Sequence, residues 1–292
     1  NDWWCLGDRQ GGLFNPLSEN ASSFAGDRYS AMLDSGIDGF WTDLGEPEKA
    51  PASTMYGKYR ETEFHNYYNL YWTKAVYDGI KARFPDKRLF FLSRSGYTGS
   101  GAYGVSVWSG DVAVSWTALS QQIAYGINAG ISGLPYWGSD VGGFSQPGTK
   151  PELFVRWHEF GAFTPVYRAY GTGPREPWIF TDSETDIIRK YLEMRRSLLP
   201  YIYSAARQTM SGIPVMRPMI FEDAHAPSSC MGTQYMFGDS LLAAPVTQEG
   251  AVSRTVWLPS GTWYEAGALL GIDNSCGMIE GDREITADAP LG

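Results

Sequence analysis

Three times in this chain a short apolar run with strand character ends in an aspartate. The first passes from Ile37 through Phe40 and Trp41, a short buried strand by its residue types, to Asp43. Glu46 and Glu48 follow, and Pro47 and Pro51 prevent the element from continuing. The second, Val105 to Asp111, alternates Val and Trp before Ser109-Gly110 ends it. The third runs from Leu134 to Asp140 and goes on as Val141-Gly142-Gly143-Phe144. Stretches with helical spacing lie between the runs, and such alternation calls for a parallel sheet with crossover helices. Repeated acidic tips favour a closed barrel over an open sheet, because barrel enzymes carry their chemistry at the C-terminal ends of the strands. A capped, solvated loop has a similar composition at any one of these places; the recurrence sets them apart.

The expected fold class is therefore α/β. Part of a (β/α)8 TIM-type barrel is expected over residues 1–227, and the start of a C-terminal β-sandwich over residues 228–292. Helical spacing predicts helices over 20–35, 66–83, 116–129, 151–160 and 185–211. Asn20 or Ser22 is placed to cap the first, and Gly130 to stop the third. Further strands are expected over 89–93, 132–140 and 213–221. From about Gln234 the pattern changes to short strands over 241–246, 253–258 and 262–265, punctuated by Gly and Pro.

A net charge of −9 argues against nucleic acid or an anionic membrane as partner. No run approaches the roughly 20 apolar residues that span a bilayer. Cys5, Cys230 and Cys276 are odd in number and far apart, so neither a disulfide framework nor a zinc site is indicated. His65, His158 and His225 show no ligand spacing and read as structural or surface residues. No metal and no cofactor is expected. The 11 Trp and 18 Tyr suit a carbohydrate-facing cleft and equally a large aromatic core, so composition alone does not separate the two.

Two opposed carboxyl groups suit glycosidic-bond cleavage: one protonates the leaving oxygen, and the other attacks or stabilises the oxocarbenium-like centre. With this chemistry in view, the chain resembles the family-31 glycoside hydrolases, mostly α-glucosidases and α-xylosidases acting with retention. The resemblance rests on Trp41-Thr42-Asp43 with Glu46-Pro47, Leu92-Ser93-Arg94-Ser95-Gly96, Trp108-Ser109-Gly110-Asp111 and the run from Gly138 to Phe144. It continues through Gly161-Ala162-Phe163-Thr164-Pro165 with Arg168, Glu176-Pro177-Trp178, and Arg195 to Tyr201. These segments stand in the family's order over nearly the whole chain.

The resemblance implies a double displacement in which Asp43 is the nucleophile and Asp111 the acid/base. The two carboxyl groups of a retaining enzyme stand about 5–5.5 Å apart. An acid that holds its proton near neutrality needs burial or a neighbouring negative charge such as Asp43. Trp41, Leu44, Arg94, Trp108, Asp140, Phe144 and Tyr170 are implied to line the sugar subsite, with Glu46 and Arg168 in support. A buried ion pair is the plain alternative for Arg94, core packing for the aromatics, and loop charge for Glu46 and Glu48. Family α-glucosidases usually carry His two residues after the arginine matching Arg168. Here that residue is Tyr170, which leaves α-glucose, α-xylose, α-galactose and modified sugars open as donors. The substrate is expected to be an oligosaccharide or other α-glycoside; the oligomeric state is not legible. A transglycosylase or α-glucan lyase of the same family, or a truncated non-catalytic carbohydrate-binding fragment, would share most of these residues. The family carries a β-sandwich and three barrel strands ahead of this region, so a fragment is expected, weak or inert in isolation, with no targeting signal to read.

Overall fold

The computed structural model describes residues 12–47, 50–145 and 148–291. Cys5 and Glu48 lie outside them. The chain divides into two compact units. One runs to Trp108 and takes in Ser132–Leu134; the other comprises Ser109–Ile131 and the residues from Pro135 onward.

In the first unit the elements are α1 (Ala21–Asp34), β1 (Phe40–Thr42), the hairpin β2 (Met55–Tyr56) and β3 (Tyr59–Arg60), and α2 (Glu61–Phe64). α3 (Tyr68–Lys81), β4 (Phe91–Ser93) and β5 (Val105–Trp108) complete it. β1, β4 and β5 are successive parallel neighbours, with Phe40 opposite Phe91 and Phe91 opposite Val105. All residues of β4 and β5 are buried, as expected of strands covered on both faces. β1 alternates instead: Phe40 and Thr42 are buried, while Trp41 is 46% exposed and Ile37 39%. The buried strand expected from Ile37 through Trp41 is corrected accordingly, because a period of two turns Trp41 to the opposite face from Phe40.

Phe24 and Met32 of α1, at helical spacing, are exposed, and the buried face is Ala21, Ala25, Gly26, Ser30 and Leu33. Its small residues let α1 and α3 approach closely: a Cβ on Gly26 would lie 2.6 Å from Gly79 O, and one on Gly79 2.0 Å from Ser22 O. Asn20 stands at the N-cap position without a side-chain hydrogen bond.

The second unit opens with α4 (Trp116–Ile131), β6 (Trp137–Gly138), β7 (Asp140–Val141), α5 (Pro151–Ala162) and β8 (Arg168–Ala169). Gly130 does not stop α4; it is buried inside the helix, where a Cβ would lie 2.8 Å from Pro214. The strand expected over 132–140 is shorter, and β7 pairs in parallel with β8, Asp140 opposite Arg168. α6 (Asp182–Ser197) starts at a Thr181/Glu184 capping box, and α7 (Leu199–Gln208) follows. The single helix expected over 185–211 breaks at Leu198 because Pro200 cannot continue it.

Beyond α7 the pairing is antiparallel. β9 (Met216–Arg217), β10 (Tyr235–Phe237) and β11 (Leu241–Ala243) form one sheet, with β10 in the centre. β12 (Ser253–Leu258) pairs with β15 (Arg283–Asp288), and β13 (Thr262–Tyr264) with β14 (Met278–Glu280); α8 (Gly267–Leu270) intervenes. Only Met216–Arg217 of the strand expected over 213–221 is extended in a sheet, since Met219–Phe221 turns into a 3-10 helix after Pro218. Among the described residues no helix is long and apolar enough to cross a membrane.

Candidate active site

Asp43 follows directly on β1, and its surroundings belong to the first unit. Leu44 adopts a left-handed backbone, φ 55°, which costs a side-chain-bearing residue about 1–2 kcal/mol. In this conformation its N–H donates to Asp43 Oδ1 at 3.0 Å. Gly45 leaves room for the Trp72 ring, which a Cβ would meet at 2.1 Å. Asn69 on α3 donates to Gly45 O at 3.3 Å and to Ser93 Oγ at 3.1 Å, tying the acidic loop to α3 and β4. The loop after β1 is thus fixed by buried polar contacts to α3 and β4.

Arg94, just past β4, has Nε 3.4 Å from Asp43 Oδ1. The same Nε donates to Glu46 Oε1 at 2.5 Å, and Nη2 also pairs with Glu46. Ser95 Oγ donates to Glu46 Oε2 at 2.9 Å. Arg94 therefore forms an ion pair with two carboxylates, and Glu46 serves as the arginine's anchor. Trp41 packs against Trp108 with ring centroids 5.6 Å apart at 31°, Trp41 exposed and Trp108 buried. One ring is open to solvent and the other is held in the core, an arrangement that presents a flat apolar wall beside the Asp43 strand.

In the second unit Asp111 sits in the bend that follows Trp108 and is exposed. Burial, one of the two sources expected to keep this acid protonated, is absent. Asp140 is 0% exposed and pairs with Arg168. A carboxylate so enclosed is tolerated because a cation meets it. The Arg168 guanidinium lies 4.6 Å from the centre of the Tyr170 ring, and Tyr170 stacks on Phe144 at 5.8 Å and 30°. Asp140, Arg168, Tyr170 and Phe144 thus form one continuous series of contacts.

Two residues that matter here were not singled out from the sequence. Asn69 looks like one more polar position on a helix, and only its burial reveals the loop contact. Arg175 precedes Glu176-Pro177-Trp178, and it is 6% exposed with Nε donating to Gly143 O at 2.8 Å. Its signal was a cation set between Pro174 and Glu176-Pro177, outside any helix that would give it an i,i+4 partner. Other motif segments are structural. Arg195 donates to Ala162 O, Thr164 O and Pro165 O at 2.8, 2.6 and 3.0 Å, so Gly161–Pro165 and Arg195 are two sides of one contact.

Comparisons with known proteins bear on the family and the fold. Residues 2–205 match the TIM-barrel domain of the glycosyl hydrolases family 31, and residues 212–290 match the C-terminal domain of that family. The α-xylosidase of Saccharolobus solfataricus is 38% identical over 269 residues, covering 86% of this chain and 36% of the relative. Neutral alpha-glucosidase AB of Homo sapiens is 38% identical over 241 residues, 77% of this chain and 25% of the relative. Among solved structures, the dextranase of Flavobacterium johnsoniae complexed with glucose superposes with a TM-score of 0.86 at 31% identity. The match covers 95% of this chain and 36% of that one. An α-xylosidase from a soil metagenome complexed with xylose also gives 0.86, at 29% identity, covering 96% of this chain and 45% of that one. The chain spans between 25% and 36% of the length of the curated relatives it matches. It comprises a TIM-barrel domain followed by a C-terminal domain, and it belongs to glycoside hydrolase family 31.

Proposed function

We propose that this chain carries the catalytic carboxylates of a retaining α-glycosidase that removes terminal α-linked glucose or xylose. Asp43 attacks the anomeric carbon as the leaving oxygen takes a proton from Asp111. Asp111 then accepts a proton from water, and that water displaces Asp43 from the sugar. The observation that carries the reading is the fixation of Asp43 beside the Trp41–Trp108 wall, by the Leu44 N–H at 3.0 Å and Arg94 at 3.4 Å. A nucleophile held on a strand tip needs little reorganisation to attack. The α-xylosidase and α-glucosidase relatives support both sugars equally, at 38% identity each. Tyr170, in contact with Arg168 and Phe144, stands where family α-glucosidases usually carry His, which keeps α-xylose open beside α-glucose.

A panel of 4-nitrophenyl α-glycosides (xylose, glucose, galactose, N-acetylgalactosamine) tests this. Release is expected from the α-xyloside or the α-glucoside, and from neither in Asp43→Asn. Turnover that survives Asp43→Asn would refute the assignment.

A further inference from the structure

We infer that Arg175 positions Asp111 for proton transfer, acting through the Gly142–Phe144 turn; this rests on the double-displacement reading above. Arg175 is 6% exposed, and its contacts fix it in place. Nε donates to Gly143 O and Nη1 to Pro174 O, both at 2.8 Å, and its own N–H donates to Glu176 Oε2 at 3.1 Å. Nη2 is buried and finds no hydrogen-bond partner among the described residues. Two glycines make the space: a Cβ on Gly142 would lie 3.0 Å from Arg175 Cδ, and one on Gly171 2.9 Å from its Cζ. Burial lowers the arginine's pKa and the charge of Asp140 opposes that, so Arg175 lies within the field of the same buried carboxylate that Arg168 pairs with.

The turn it grips faces the segment after Asp111. Gly143 has φ 76°, and a Cβ there would lie 2.8 Å from Val114 Cα and 2.9 Å from Ala113 O. Phe144 N–H donates to Val112 O at 2.8 Å, one residue past Asp111. Phe144 O in turn accepts the Thr172 N–H at 2.8 Å and Thr172 Oγ1 at 3.1 Å. A buried cation therefore holds one side of the turn, and the other side holds the peptide next to the acid. Arg175 touches no reacting atom in this scheme. It sets where Asp111 stands, and a displacement of about 1 Å at a catalytic group costs on the order of 100-fold in rate.

The test separates proton delivery from general damage. A methyl α-glycoside needs an acid to release its alcohol, whereas an α-glycosyl fluoride of the same sugar departs with little help. Arg175→Lys keeps the charge and loses the planar donor. It is expected to lower kcat/KM about 10–100-fold on the methyl glycoside, with little change on the fluoride. Thr172→Val, which loosens the same turn from an exposed position, is expected to show the same selectivity to a smaller degree and carries the test if Arg175→Lys does not fold. Asp111→Ala is the reference. If it fails to discriminate between the two donors, Asp111 is not the acid and the underlying reading falls. If it discriminates, and the Arg175 and Thr172 variants slow both donors equally or neither, the positioning role is overturned.

Discussion

Glu159 on α5 is enclosed by the protein, and burial raises its carboxyl to about 7. Arg156, whose Nη1 lies 2.9 Å away, opposes the rise, and Glu152 adds to it. Arg156 is committed elsewhere as well, donating to Ala251 O, Ala289 O and Pro290 O at 3.1, 2.7 and 3.2 Å. Its neighbour His158 is pushed down to about 3 by burial and shares a hydrogen bond with the Tyr167 hydroxyl at 2.5 Å. The signs follow from linkage. A carboxyl raised in the folded state contributes stability below its ordinary 4.5 that is lost as pH rises through about 7. A histidine lowered in the folded state contributes stability above its ordinary 6.5 that is lost as pH falls toward about 3. Between about pH 5 and about pH 8, the Tm of the parent chain should therefore fall relative to that of Glu159→Gln. A constant difference between the two melting curves across that window would contradict the assignment.

At the scale of elements, the α1–α3 contact is the most demanding packing in the first unit. Gly79→Ala would place a Cβ 2.0 Å from Ser22 O and 2.6 Å from Gly26 N, both backbone atoms that cannot rotate away. Overpacking of this kind costs about 1–3 kcal/mol, to be read as a lower midpoint in urea unfolding. An unchanged midpoint would mean that the helices separate freely. The same contact explains what the sequence could and could not reveal. Periodicity located α1, with Phe24, Tyr29, Met32 and Leu33 near helical spacing, but it did not identify the buried face. Only the partner helix, with Gly79 opposite Gly26, selects the small face. β4, β5 and β12 were legible because consecutive apolar or alternating β-formers identify a strand without knowledge of its neighbour. β9 lies inside a longer expected strand and β10 was not expected, because a strand of two or three residues is defined by its pairing, Met216 to Phe237, across a turn-rich segment. Among the site residues, Asp43 and Asp140 stand out by their strand ends, whereas Arg175 depends on the Gly142–Phe144 turn and carries no periodic signal.

The whole molecule joins two kinds of surroundings for its acidic residues. Asp43, just after β1, is held by Arg94 and the Leu44 N–H, and Asp140, in β7, is held by Arg168. In the second unit, the Arg156 contacts tie α5 to the backbone at Ala251 and Ala289–Pro290, close to the ends of β12 and β15. We propose a domain border near Pro227, within the turns that lead into β10, some residues beyond the point at 212 where the match to the family's C-terminal domain begins. Trapping a covalent glycosyl-enzyme tests Asp43 as the nucleophile more directly than turnover does. The chain is treated with a fluorinated α-xylosyl or α-glucosyl fluoride whose intermediate breaks down slowly, digested, and sequenced by mass spectrometry. The sugar should be found on the Asp43 carboxylate, and the Asp43→Asn chain should acquire none. A label on another carboxylate, or hydrolysis that continues at full rate with Asp43 unlabelled, would contradict the account.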